Sequence, residues 1–508
     1  PAIAKDAKVA LPRIVAWTDM GSTAAIVGGF TLGFWLYSSL AQLLLLIVVL
    51  NVVSTLMAMA CRFPSDIRRS EGPIESLRGF FRDSIRVKKD RLAWGSLLGL
   101  GCFQGLVTAG SGTLVTQAVD PNHASHSAAI SALMIVCGGV ALGCMIASLQ
   151  PHIRRCLGLV SLGSLGLILS QIWMAMTMDQ QGIPPWTPIL LLGMMSGLIN
   201  APLRASYQAA VPEDARGNAM AIMYAVLYII TALLAGLMIL LIDSGWLTTP
   251  QTQMWFLTGL GVVGAVLAWK WLLGPTFDLF AEWMLFPMYR IRAHGPGSDL
   301  IPTKGPVLLI ANHSSYVDPF WIGKIVPRKL TPMMTSRFFD LRFIRWLMVH
   351  VVKAIRVEAS GFRREAPELQ EAISALKEGK CVLLFPEGIL RRKEEPILRQ
   401  FGQGVWHILR EVPQTPVVVL WIEGGWGSYA SYKDGPPFKN KKIDRRRPID
   451  IAVTEPQVID PSLLEDHRTL RAYLMQQCLN ARTILGLEVP EIETGTTSDS
   501  ESEHTTTS

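Results

Sequence analysis

The chain has 508 residues, half of them hydrophobic, with a formal net charge of +7 and a mean hydropathy of +0.33. That length suits two or three domains, and the apolar residues, concentrated before about residue 275, are too many for an ordinary soluble protein. An excess of Lys and Arg is what a membrane protein carries on its cytoplasmic side. Basic residues interleaved with exposed aromatics, or a nucleic-acid module, are not found, so no nucleic-acid partner is expected.

Eight apolar segments run over 19–37, 40–61, 92–115, 127–149, 157–178, 188–206, 217–242 and 253–274. Each is near the ~20 residues a helix needs to cross a bilayer. Glycines such as Gly95, Gly99, Gly101 and Gly105 suit close helix packing in lipid. The loops alternate in charge. The stretch 62–91 holds Arg62, Arg68, Arg69, Arg78, Arg82, Arg86, Lys88, Lys89 and Arg91, whereas 116–126 has no Lys or Arg. Arg154 and Arg155 follow the fourth span, Arg204 and Arg216 flank the connection after the sixth, and Lys270 marks the end of the eighth; 179–187 and 243–252 have no basic residue. This positive-inside pattern puts both ends of the array, and everything after 275, in the cytoplasm. No signal peptide is expected at Pro1, and the seven cysteines, without metal-knuckle spacing, read as reduced small hydrophobes.

Past residue 276 the pattern changes. Segment 277–292 mixes apolar and aromatic side chains with Arg290 and Arg292, and reads either as an interfacial helix or as the buried first helix of the next domain. Short β-prone runs at 307–312, 354–359, 381–386 and 417–422 then alternate with helical stretches. Among these, 365–378 places Leu369, Ile373 and Leu376 at helical spacing. The fold class expected is a multi-span all-α membrane bundle over 1–275, followed by a cytoplasmic α/β domain over 276–488 and a disordered tail over 489–508.

The sharpest chemical signal is IANHSSYVDPF at 310–320. A strand-like run ends in Asn312 and His313, and Asp318 follows five positions later. His exchanges protons near neutral pH, and Asp318 folding back onto the second ring nitrogen would fix the tautomer. No Ser or Cys stands in a nucleophile-elbow context, which favours direct attack by an acceptor hydroxyl over an acyl-enzyme. Taken alone, the His-x4-Asp spacing is also compatible with a capping arrangement. FPEG at 385–388 ends a second strand, with Glu387 at the turn and Gly388 permitting positive φ. Arg391, Arg392 and Lys393 follow, and Arg356 lies in a third strand-like run; each Arg is either a phosphate ligand or a solvated surface charge.

Together NHSSYVD, AIRVE, FPEG and the strand after Pro416 resemble the four ordered blocks of the glycerophospholipid acyltransferase family, over roughly 285–480. The resemblance implies His313 as general base, Asp318 as its orienting partner, and Asn312, Arg356, Glu387, Gly388 and Arg392 as acceptor-binding residues. It implies no metal or bound cofactor; acyl-carrier protein or coenzyme A would bring the acyl thioester. The family usually continues FPEG with a Thr-Arg-Ser-Arg-like run, where this chain reads Ile389, Leu390, Arg391, Arg392, so Arg391 stands as a rival phosphate ligand shifted by one position. The segment PAIAKDAKVALPRIV, the loop 62–91 and GLINAPLRASYQAAVPEDARGNAMA resemble the lysophospholipid-transporter branch of the major facilitator superfamily, the eight spans matching its helices five to twelve. Four spans of that family would then be absent: on missing sequence, on another chain, or lost from a bundle reduced to a scaffold. The order of the two parts resembles bacterial transporter–acyltransferase fusions of the cell membrane. It implies a lysophospholipid acceptor such as 2-acyl-glycerophosphoethanolamine, membrane-lipid partners and a separate acyl-activating enzyme. Glycerol 3-phosphate or lysophosphatidic acid is the alternative acceptor, and a transporter with an accessory soluble domain the alternative role.

Overall fold

The computed structural model describes residues 10–35, 73–118, 126–181, 186–212, 215–358, 367–439 and 441–490. The chain divides into two units, Pro1–Phe280 and Ala281–Ser508.

The first unit is helical: α1 (Leu11–Trp35), α2 (Pro73–Lys89), α3 (Arg91–Ala118), α4 (His126–Ser148), α5 (Ile153–Gln181), α6 (Trp186–Ala210), α7 (Arg216–Asp243) and α8 (Pro250–Leu285), whose last turns enter the second unit. Among the described residues six helices, α3 to α8, are long and apolar enough to cross a membrane. The expected span 19–37 begins within α1, and that at 40–61 lies outside the described residues, as do most of the expected tail and the first part of the basic loop. The remainder of that loop is not irregular: α2 is an amphipathic helix whose last turn carries Arg86, Lys88 and Lys89. It is pinned to α7 where Asn218 donates a 2.8 Å hydrogen bond to the buried Asp83. Arg204, read as a basic flank, forms an ion pair with Asp19 of α1.

The closest helix approach is not at the glycines singled out above. Around Gly99, Gly101 and Gly105 the nearest neighbours are side chains of Leu203, Ile230 and Leu234. Backbones meet instead between α4 and α6. A Cβ on Gly139 or Gly143 would lie 2.4 or 2.1 Å from the carbonyl oxygen of Leu190 or Met194. One on Gly193 or Gly197 would lie 2.0 or 2.4 Å from that of Val136 or Val140. Two small-xxx-small pairs face each other, which lets dispersion contacts form along the whole seam. Gly143→Val or Gly193→Val should therefore destabilise the bundle by about 3 kcal/mol or more, since backbone cannot yield as a side chain does. Gly101→Ala, which meets the flexible tip of Ile230, should be milder; thermal unfolding in detergent that ranks Gly101→Ala worst would refute this packing account.

The second unit is built on one seven-stranded sheet of order β1-β7-β6-β2-β5-β3-β4. The strands are β1 (Tyr289–His294), β2 (Val307–Ala311), β3 (Leu330–Thr335), β4 (Ile355–Val357), β5 (Cys381–Leu384), β6 (Val417–Glu423) and β7 (Arg447–Val453). All neighbours are parallel except β6 and β7. β2 is buried along its whole length, as expected of a central strand covered on both faces. Leu308 and Ile310 face α10 (Pro367–Lys377), α11 (Gly404–Glu411) and α12 (His467–Asn480); Val307, Leu309 and Ala311 face α9 (Asp318–Ile325). Leu369, Ile373 and Leu376 of α10 are buried at the spacing read from the sequence. Segment 277–292 is not a separate helix: its first part completes α8, and Tyr289–Arg292 belong to the edge strand β1.

Candidate active site

Because β2, β5 and β6 are parallel, their carboxyl ends lie together, and the chain leaves each of them into the site. Asn312, first beyond β2, spends its amide on the neighbouring strand: Nδ2 donates to Ile422 O at 3.1 Å and Oδ1 accepts from Ile422 N–H at 2.7 Å. It is buried and works as a strap between β2 and β6, both its polar atoms engaged with the backbone of Ile422.

His313 and Asp318 meet. Asp318 Oδ2 lies 2.9 Å from His313 Nδ1 and also accepts the N–H groups of Ser314 and Ser315 at 2.7 and 2.9 Å. The carboxyl is 0% exposed. Burial pushes it above the usual carboxylate range, against the pull of His313 and the two backbone donors. With Nδ1 directed at the carboxylate, Nε2 is the nitrogen left for proton transfer. The imidazole stacks on Phe385, centroids 4.0 Å apart, so a residue of FPEG with no assigned role sets the ring plane.

Glu387 acts on the main chain. Its Oε1 accepts His313 N–H at 2.7 Å and its Oε2 accepts Arg399 N–H at 3.0 Å. The reverse tie is Arg391 N–H to His313 O at 2.9 Å. Burial pushes the Glu387 carboxyl up to about 7, opposed by those two backbone donors. Gly388 does adopt positive φ, +70°, and donates its N–H back to Phe385 O at 3.0 Å, closing the turn.

The arginines separate into three situations. Arg391 lies 4.6 Å over the Trp426 ring and is bonded through its guanidinium to Lys393 O and Glu394 O, so it closes its own loop; partial burial lowers its basicity. Arg392 lies 5.1 Å over the Tyr432 ring, and no hydrogen-bonded acceptor meets its N–H groups among the described residues. Arg356 sits on β4, the outermost strand, paired with Asp340 at 2.7 Å and Glu358 at 3.3 Å. Two strand spacings, about 10 Å, separate β4 from β5. Leu390, at the place of the family's first arginine, is buried.

Neither Ser314 nor Cys381 is poised as a nucleophile: the Ser314 hydroxyl is buried towards Gly425, and the Cys381 thiol is pushed up to about 12 by burial inside β5. The segment 424–439, for which the sequence offered no motif, lies against the site. Tyr316 N–H donates to Ala430 O at 3.2 Å, and the Tyr316 and Tyr432 hydroxyls are 3.1 Å apart.

A carboxyl raised to about 7 in the folded chain binds its proton more tightly there than unfolded, where the value is near 4.5. Its contribution to stability is therefore complete below about pH 4.5 and is lost as the pH rises through 7. Relative to Glu387→Gln, which does not titrate, the wild-type melting temperature should fall between pH 5 and pH 8 (about the limits of that transition). A difference between the two proteins that is flat over this range would show that the carboxyl is not so placed.

Residues 291–423 match the family model described as Acyltransferase. A 119-residue stretch is 29% identical to the 1-acyl-sn-glycerol-3-phosphate acyltransferase of Saccharomyces cerevisiae, covering 23% of this chain and 39% of that protein. The chain thus spans well under half the length of this curated relative. The crystal structure of the 1-acyl-sn-glycerophosphate (LPA) acyltransferase, PlsC, from Thermotoga maritima aligns over 43% of this chain and 80% of its own, with 19% identity and a TM-score of 0.34. His313, Asp318, Arg356 and Glu387 all fall inside the segment of the C-terminal unit that matches the Acyltransferase family model.

Proposed function

We propose that the second unit transfers a fatty acyl group from an acyl thioester, of acyl-carrier protein or coenzyme A, to a free hydroxyl of a phosphate-bearing lysolipid. The observation that carries this reading is the buried Asp318 carboxyl set on His313 Nδ1, with Nε2 left as the base. His313 takes the hydroxyl proton as the acceptor oxygen bonds to the thioester carbonyl carbon. The C–S bond then breaks, and the thiolate leaves with the proton that His313 returns. The name of the yeast relative favours 1-acylglycerol 3-phosphate as acceptor; the order of the two parts favours a lysophospholipid such as 2-acyl-glycerophosphoethanolamine.

The first unit is proposed to lie in a bacterial cell membrane, with 73–91 and the acyltransferase-family domain on the cytoplasmic side. Six long apolar helices and the alternating loop charge support that orientation. Its likeness to lysophospholipid transporters makes delivery of the acceptor its proposed role.

His313→Ala should lower acyl transfer by ~10²–10⁴-fold in a labelled-thioester assay on membranes, with melting temperature little changed. Asp318→Asn should be severe too, since the amide gives the imidazole no charged partner. Near-normal turnover in the His313 variant would eliminate the mechanism. Among the arginines, Arg392→Ala should raise KM for a phosphate-bearing acceptor about ten-fold or more, because a charge-assisted contact is lost. Arg356, already neutralised by Asp340 and Glu358, and Arg391, bonded within its loop, should affect that KM less. Acceptor titrations in which Arg392→Ala is the mildest of the three would reverse the assignment.

A further inference from the structure

Arg392 has a half-buried ring beneath it where an arginine more commonly has a carboxylate. The Tyr432 ring lies 5.1 Å under the guanidinium, and the Tyr432 hydroxyl is held 3.1 Å from that of Tyr316, three residues after His313. Tyr316 is in turn stacked on Phe438 at 6.1 Å, and Phe438 meets Tyr429 edge-on at 5.5 Å. The backbone of the same loop joins the catalytic turn through the isolated bridge between Ser315 and Ser431. Lys433 reaches Glu394 at 3.2 Å, fastening the loop to the segment that carries the arginines. One stretch of chain therefore grips both the His313 turn and the residues after FPEG. It begins at Gly424, where the match to the Acyltransferase family has ended.

An aromatic face holds a guanidinium by its quadrupole, without engaging the N–H groups that point outward in the plane. A carboxylate in the same place would hold the charge but also neutralise it and occupy its donors, as Asp340 does to Arg356. A ring shelf therefore restricts a long side chain while leaving its fork open to a planar pair of phosphate oxygens. We infer that Tyr432 is the positioning residue of the acceptor phosphate site, holding Arg392 ready for the headgroup. This rests on the acyl-transfer reading above for its substrate, but not for the binding that it describes.

The test uses the full chain in detergent, with 1-acylglycerol 3-phosphate as acceptor and acyl-CoA as donor. Tyr432→Ala, and Tyr432→Leu as the variant that keeps apolar bulk, should raise KM for the acceptor about five- to thirty-fold, with kcat within about two-fold. Tyr432→Phe keeps the ring, loses only the hydroxyl contact with Tyr316, and should stay within about two- to three-fold of wild type. KM for acyl-CoA should not move, and monoacylglycerol, which has no phosphate, should be used equally by all four proteins. The double variant Arg392→Ala with Tyr432→Ala should be no worse than Arg392→Ala alone, because the ring acts only through the arginine. Equilibrium binding of radiolabelled 1-acylglycerol 3-phosphate needs no turnover and should weaken by the same factor in the Ala and Leu variants. Absent acyl transfer with weakened lipid binding in these variants would overturn the enzymatic reading and leave this inference standing. Unchanged lipid binding, a fall in kcat without a rise in acceptor KM, a rise confined to the donor, or a Phe variant as impaired as Ala would each overturn the inference.

Discussion

A buried carboxyl that bonds only to main chain sets the geometry of the site. Glu387 accepts the N–H of His313 from the end of β2 and that of Arg399 from the segment beyond FPEG, and Arg391 N–H returns a bond to His313 O. The segments that leave β2 and β5 are thereby fixed to one another, and the second is folded back on itself, all within hydrogen-bonding distance. Without an acceptor at 387, the His313 and Arg399 N–H groups would lose the bonds that hold the two segments together. The position of the imidazole thus depends on its backbone being anchored from one side by Glu387 while its ring is fixed from the other by Asp318 and Phe385. The two carboxyls have divided the work: one holds the main chain, the other the imidazole ring.

Much of this was legible in the sequence, and the reason is locality. His313 and Asp318 are five positions apart, so a strand end followed by a single helical turn brings them together whatever the remainder does. Four of the strands were visible as short apolar runs, and α10 by its spacing. β1, β3 and β7 were not: YRIRAH alternates charge with apolar residues, LTPMMT contains a proline, and RPIDIAV begins with one of the most charged stretches of the chain. Each becomes a strand because a neighbour offers a ladder. Side-chain chemistry was harder still. Asn312 and Glu387 carry polar atoms that the motif alone assigns to substrate, yet both are consumed by backbone of residues far away in sequence, and no local pattern encodes where Ile422 or Arg399 will lie. The aromatic neighbours of Arg391 and Arg392 were invisible for the same reason.

The first unit repeats the lesson at the scale of helices. Glycines are frequent in α3 and in α4, and a reading by composition cannot tell which of them meet backbone and which merely face a leucine or an isoleucine. Gly139 and Gly143 pair with Gly193 and Gly197 because two four-residue intervals happen to face each other across the α4–α6 seam. The amphipathic α2 shows the complementary case, in which charge read as a loop belongs to one face of a helix and a buried aspartate carries the tertiary contact.

The reversal of strand direction between β6 and β7 carries a consequence for how such a domain diversifies. From β2 to β6 every crossover must travel the length of the sheet to enter the next parallel strand, so its length and path are constrained by the core. The β6–β7 connection is antiparallel and returns at the end where it left, beside His313. It can lengthen, shorten or change composition without disturbing a crossover helix or the register of the central strands. The segment from Gly424 to Arg446 is thus a natural site for grafting: transplanted between homologous domains, it would carry its aromatic side chains with it and leave the His313–Asp318 pair on its own strand end.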